Sequence, residues 1–310
     1  MHKRLLNEAI LDFTVVPQGP ILVKAGETGA DPTRPNMEFV RTWRNGERTV
    51  YLPGPSLKGV IRSHCERIVR TIGEGRSCNP VVKEESCVGR HELTQDDDGY
   101  KAHSHSCFIC QMFGNTVLAG RVRTADAYPV GEVRTEERNG VAIDRVFGSV
   151  AVGPFQMEVV TQGEFKTKLA IRNFTVAQLG LLALALRDLK LGRVGIGFGK
   201  SRGLGHVTLT FDALTIRYPR QPAERNVLTG VALLLGKDEA GKYGYVTDNG
   251  AAFGYTAVEE DESAALPAGL PLEENDWSEW TLKVPGAQVE DVWKTCMTAW
   301  KAAIRLEGGA

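Results

Sequence analysis

Four cysteines and one glycine-rich loop carry most of the chemistry legible in this chain. Cys107-x-x-Cys110 has the spacing of a metal knuckle, and Cys78 and Cys87 lie upstream in the same segment. Four thiolates fit tetrahedral zinc, whose binding supplies folding energy to a segment poor in apolar residues. His91, His103 and His105 stand in the same stretch as substitutes for one thiolate. A disulfide is disfavoured in a reducing compartment, and a redox Cys-x-x-Cys would open a helix beside a βαβ pattern that is missing here. The second feature is Gly195-Ile196-Gly197-Phe198-Gly199-Lys200-Ser201-Arg202-Gly203-Leu204-Gly205. Glycine takes φ > 0 without penalty and lets the backbone approach a ligand closely. Lys200, Ser201 and Arg202 therefore sit where they can grip phosphate oxygens. Walker loops and dinucleotide fingerprints open helices. This loop instead leads into a strand from Val207 to Phe211.

The elements that must position these residues follow from pattern. The chain of 310 residues is 42% hydrophobic and 24% charged, the profile of a globular protein of one large domain or two modest ones. No apolar run approaches the roughly 18 residues that span a bilayer, and charged Glu8 and Asp12 interrupt any signal-like N-terminus, so a cytoplasmic location is expected. A formal charge of −1 gives no global attraction to nucleic acid, but Arg34 to Arg76 holds nine Lys or Arg against four Asp or Glu. Glu259 to Glu279 is acidic with no basic residue.

A strand is expected from Leu5 to Val16. A hairpin follows, from Met37 to Trp43 and Arg48 to Leu52 around an Asn45-Gly46 turn. A helix from Pro53 to Ile72 turns Leu57, Val60, Ile61, His64, Cys65, Ile68, Val69 and Ile72 to one buried face, with Lys58, Arg62, Arg67 and Arg70 mainly off it and Ser56 as the N-cap. Residues 73–111 read as an insertion without its own core. Gly120 to Tyr128 is strand-like, residues 131–165 form a long projecting hairpin, and Val176 to Leu189 is a buried helix. Beyond Pro219 lies a Gly- and acid-rich stretch, then a helix from Val289 to Leu306. Cys65 and Cys296 read as core residues.

At this point four segments resemble the RAMP superfamily, the RNA-binding backbone subunits of type III CRISPR effector complexes, in its zinc-containing branch. Tyr51-Leu52-Pro53-Gly54-Pro55-Ser56-Leu57-Lys58-Gly59-Val60-Ile61-Arg62 is similar to its "IPGSSLKGxxR" segment, and Cys107 to Gly114 to "CxxCxLFG". Gly120 to Ala127 resembles "GRLRxxDA", and the glycine loop resembles "GxGxSRGxG". The resemblance spans about residues 5–212.

It implies an α+β fold: a modified RRM/ferredoxin-like core over 1–219, with a zinc-binding insertion, a projecting thumb β-hairpin and a C-terminal extension over 220–310. It further implies binding of CRISPR guide RNA and complementary target RNA beside other effector subunits, with no membrane. The motif residues Ser56, Lys58 and Arg62, with the helix N-terminus, form one phosphate grip. Lys200, Ser201 and Arg202 form a second. At the thumb tip, Arg145 and Phe147 join an aliphatic wedge suited to unstacking bases. In active relatives an Asp before the helix motif supports metal-assisted cutting of target RNA. Asp31 is the candidate here, with Mg2+ as its ion. If Asn36, directly before Met37, instead occupies the place of the family's Asp, the chain binds without cutting. Two other readings compete: a freestanding endoribonuclease that processes guide RNA, for which His64 and His206 offer no evident cleft, and a non-catalytic assembly subunit.

Overall fold

Strand β1 (Glu8–Pro17) shows why a sheet forms with one face covered. Ala9, Leu11, Phe13 and Val15 are all buried, while Ile10, Asp12 and Val16 between and beyond them are partly open. The structure is a computed structural model describing residues 4–26, 35–72, 77–242, 245–246, 252–253 and 262–304. A hairpin of β2 (Arg41–Arg44) and β3 (Glu47–Val50) turns at Asn45 and Gly46, both at positive φ. Helix α1 (Gly54–Ile72) follows, then three short helices, α2 (Cys87–Arg90), α3 (Gly99–Ser104) and α4 (Phe108–Phe113). Strands β4 (Val122–Thr124) and β5 (Tyr128–Pro129) lead to a two-stranded hairpin of β6 (Arg134–Ile143) and β7 (Val150–Gln162). Next come β8 (Phe165–Arg172), α5 (Val176–Lys190) and β9 (Val207–Tyr218).

The C-terminal part holds β10 (Val227–Thr229), α6 (Val231–Leu235), α7 (Lys237–Lys242), β11 (Tyr245–Val246), β12 (Ala252–Phe253), β13 (Ser263–Ala265), β14 (Glu273–Glu274), β15 (Trp280–Pro285), α8 (Val289–Thr295) and α9 (Met297–Ile304).

The main sheet is antiparallel in the order β14-β15-β9-β1-β8-β4, with β5 also on β8. Strands β1, β4, β8 and β9, adjacent in this sheet, and the helices α1 and α5 give the β-α-β-β-α-β order of a ferredoxin-like, RRM-like core. This is the expected α+β fold. Helix α5 starts at a capping box, Thr175 with Gln178, and is buried along most of its length, packing against α1 and β9.

Three expectations change. The C-terminal part joins the core sheet, because β15 pairs with β9 from Trp280–Tyr218 to Pro285–Ala213. The final helix is two, α8 and α9, separated at Cys296; Trp293, Cys296 and Trp300 are buried, as their spacing implies. Ser56 is not the N-cap. Helix α1 begins two residues earlier, and the Gly54 N–H donates to Asp126 Oδ1 at 2.7 Å. A carboxylate from the segment between β4 and β5 thus satisfies the helix start and meets the positive end of its dipole.

Candidate functional site

The sulfurs of Cys78, Cys87, Cys107 and Cys110 lie within 4.8 Å of one another, and all four residues are buried. Four ligands at the Zn–S distance of about 2.3 Å stand about 3.8 Å apart in a tetrahedron. The Cys78–Cys110 sulfur separation of 3.5 Å is close to that. Backbone N–H groups point at the sulfurs: Cys107 N donates to Cys87 Sγ at 3.1 Å, Cys110 N to Cys107 Sγ at 3.4 Å and Cys78 N to Cys107 Sγ at 3.5 Å. These stabilise thiolate charge, as the outer shell of a metal site does. On their own the four groups divide their protons. Contact with Cys107 and Cys110 holds the Cys78 thiol well below its ordinary range, and Cys110 does the same for Cys107. Cys107 in turn keeps Cys87 and Cys110 protonated. Only a cation lets all four ionise together. The cluster is therefore fit to hold one metal ion. His91, His103 and His105 are not in it: His91 and His105 meet edge-on at 5.1 Å, and His103 is buried beside Gln111.

Helix α1 clamps this cluster with side chains that sequence spacing assigns to solvent. Arg62 Nε donates to Glu66 at 2.9 Å, one terminal nitrogen to the Gly114 carbonyl at 3.0 Å, and the other faces Cys110 Sγ at 3.8 Å. Arg70 donates to the Cys78 carbonyl at 2.7 Å. The phosphate grip expected of Arg62 thus meets a guanidinium engaged on three sides. Leu57 N–H is also taken, by the Pro53 carbonyl at 3.1 Å, so it is not a free helix-end donor.

Lys58 is different. Among the described residues its ammonium has no hydrogen-bond or ion-pair partner, and Ser56 beside it is exposed. Burial lowers the Lys58 pKa, and the Arg62 and Arg123 charges lower it further. A half-buried cation pressed by two others is a site that an anion stabilises. Gly120 makes room for it: a Cβ there would fall 2.4 Å from the Phe113 carbonyl and 3.0 Å from Lys58 Nζ. The same glycine borders a cavity of about 300 Å3 walled by Arg4, Arg121, Arg123 and Arg172. Arg123, from β4, was not picked out from sequence, although it is the second arginine of the Gly-Arg-Val-Arg run that carries the resemblance.

The glycine loop folds as a bracket. Residues Lys200–Arg202 form one 3-10 turn between Gly199 and Gly203, both left-handed. Lys200, Ser201 and Arg202 are all exposed, and the Arg202 guanidinium lies 5.1 Å over the Phe198 ring. Gly197, at φ +72°, sits against the Leu22 carbonyl, which a Cβ would approach to 2.2 Å. Phe198 N donates to that carbonyl and Gly205 N to Pro20 O. Two more elements dock on the same short segment: β7 bridges Ile21 through Val160, and Val40 N donates to Val23 O. The loop, the β6–β7 hairpin and residues 37–40 therefore converge on residues 20–25.

The hairpin tip carries the expected wedge. Asp144 Oδ1 accepts from Val146 N at 2.7 Å and Phe147 N at 2.8 Å, fixing the turn. Phe147 is 84% and Val146 81% exposed, with Ile143 and Arg145 also open. Asp31 lies outside the described residues. Asn36 Oδ1 accepts from Gln156 N on β7 at 3.2 Å, which ties it to the middle of the hairpin. His64 Nε2 contacts Asp188 at 2.9 Å between α1 and α5, while its Nδ1 is buried without a partner.

A model of the RAMP superfamily matches residues 16–208. That is more than half of the chain, and the chain belongs to the RAMP superfamily. Its family role is CRISPR-associated RNA binding. No curated protein matches it. Among the described residues no helix is long and apolar enough to cross a membrane.

Proposed function

We propose that this chain is a guide-RNA-binding backbone subunit of a type III CRISPR effector complex, working in the cytoplasm beside other effector subunits and positioning complementary target RNA. The observation that carries the reading is the convergence on residues 20–25 of three features: the glycine loop with its exposed Lys200-Ser201-Arg202 turn, a hairpin with an exposed apolar tip, and residues 37–40. Lys58 and Arg123 add a second cationic grip for the RNA backbone. The four cysteines hold a structural Zn2+ that keeps the insertion on α1. Arg62 serves that metal platform and reaches RNA only secondarily. In the same reading Asp31 holds a hydrated Mg2+ against target RNA, orienting the attacking 2′-hydroxyl.

Phosphate contacts are sequence-independent and salt-dependent. In the double variant Lys58→Ala, Arg202→Ala, affinity for guide RNA falls for every sequence. The slope of log affinity against log salt becomes shallower by about 1.4, from about 0.7 per lost single-strand contact. Filter-binding titrations at several salt concentrations measure both. Unchanged affinity and slope would falsify the proposed surface.

A further inference from the structure

The β2–β3 hairpin takes no part in the phosphate grips above, yet both of its faces carry planar groups open to solvent. On one face Trp43 is 73% exposed and stands opposite Arg48 in the antiparallel register. Among the described residues Arg48 has no hydrogen-bond or ion-pair partner. On the other face the Arg44 guanidinium lies 4.0 Å over the Tyr128 ring. Tyr128 stacks in turn on Tyr51, with centroids 5.9 Å apart and planes inclined by 16°.

The scaffold is stiff. The positive-φ Asn45-Gly46 turn closes the hairpin, and Arg41 holds both oxygens of Glu158 on β7. Glu158 also accepts from Phe39 N at 3.1 Å. A large indole held out in water gains nothing for folding. Its surroundings specify what covers it: the hairpin has three arginines against one glutamate, Glu47. Flat π surfaces between fixed cations match unpaired bases joined by phosphates.

We propose that β2–β3 is a base-stacking platform for single-stranded RNA, an inference that rests on the RNA-binding reading above. One base lies on the Trp43 indole while Arg48 takes an adjacent phosphate. A second base stacks on the outer face of Arg44, whose plane is preset by Tyr128.

The test is a fluorescence titration of the full chain with a short oligouridylate. Trp280, Trp293 and Trp300 are buried, and Trp277 at 88% exposure is the other open indole. The unaltered chain and Trp277→Ala are expected to show quenching on binding. Trp43→Ala loses most of the quenching and binds about 5- to 150-fold more weakly, the range for one stacked base. Trp43→Phe keeps most of the affinity because it keeps a π face. A Trp43→Ala protein that binds as tightly as the unaltered chain overturns the proposal. If its only defect is in self-association or subunit assembly, the hairpin is a protein interface instead. Should the unaltered chain bind no RNA, the broader reading falls too. Should the Lys58 and Arg202 variant lose binding while Trp43→Ala does not, only the platform falls.

Discussion

Arg62 stands between the sulfur cluster and the cationic patch, and its contacts divide the labour among neighbouring residues. Burial opposes its charge, but the hydrogen bond to Glu66 and the Cys110 sulfur outweigh that and raise its pKa. It is a permanent cation beside Cys110. Elemental analysis should find about one zinc per chain, with Cys107→Ser, Cys110→Ser reducing it to a trace. Arg62→Ala should retain zinc but surrender it sooner to a chelator, by about 10-fold. Metal-free purified protein would remove the zinc reading. Asp31 and Asn36 are separated by one gel. If Asp31 acts, a guide-loaded complex cuts complementary RNA with magnesium, and Asp31→Ala stops cleavage while leaving target binding. If Asn36 holds the catalytic position, the unaltered chain leaves target intact and Asn36→Asp restores cutting. The substitution keeps the oxygen that Gln156 N needs. At this scale the cysteine cluster was legible because knuckle spacing constrains chemistry directly. The cap of α1 was not: Asp126 reaches Gly54 across 72 positions of sequence, whereas Ser56 only looked like a cap from its neighbours.

Strand β1 is stapled to both neighbours through one carboxylate. Glu8 is 2% exposed and accepts from Arg172 on β8 and Arg217 on β9. Burial alone would raise its pKa, but the two arginines outweigh burial and hold it below the ordinary carboxylate range. A carboxyl with a depressed folded-state pKa contributes stability that is complete above its unfolded pKa and is lost as pH falls through the folded value. Glu158, held by Arg41 and the Phe39 N–H, and Asp188, held by His64 and Arg187, act in the same direction. Thermal melts should therefore show stability declining once pH drops below about 4.5, and Glu8→Gln should flatten that decline. A melt profile level from pH 6 to pH 3 would remove these pairs from the account. Strands and helices with one covered face were legible from alternation or 3.6-residue spacing, as in β1 and α1. Strand β15 was not, because Trp280-Thr281-Leu282-Lys283-Val284 is a short alternation set in acidic, glycine-rich sequence. Pairing with β9, not local pattern, makes it a strand. Cys296 breaks the last helix for a similar reason, since α8 and α9 each follow the surface of α5.

The molecule is built so that its C-terminal part finishes the core. Trp293 packs edge-on against Phe211 at 4.6 Å, and Trp300 lies 6.1 Å from Phe108 of α4. Gly180 of α5 is small enough to admit the Cys296 carbonyl and Trp300, which a Cβ would approach to about 3.0 Å. The Cys296 thiol, sealed there, has its pKa pushed up to about 12 by burial. A chain ended at Pro219 uncovers the β9 edge and the α5 face together, and it should aggregate or lose its cooperative melt. Size-exclusion chromatography and circular dichroism decide this. A monomeric, cooperatively melting 1–219 fragment would show the core to be autonomous. The long hairpin has a mechanical consequence. Ten residues of β6 at about 3.3 Å each form an arm of about 33 Å. Residues 156–158, midway along β7, are sewn to residues 36–39 by Met37 N to Gln156 O, Glu158 N to Met37 O, and the Asn36 and Glu158 side chains. Such an arm is a lever pivoted near its middle. A load on Phe147 at the tip becomes a torque on residues 36–39, which lead into β2, so the β2–β3 hairpin can register whether the far end of the arm is occupied.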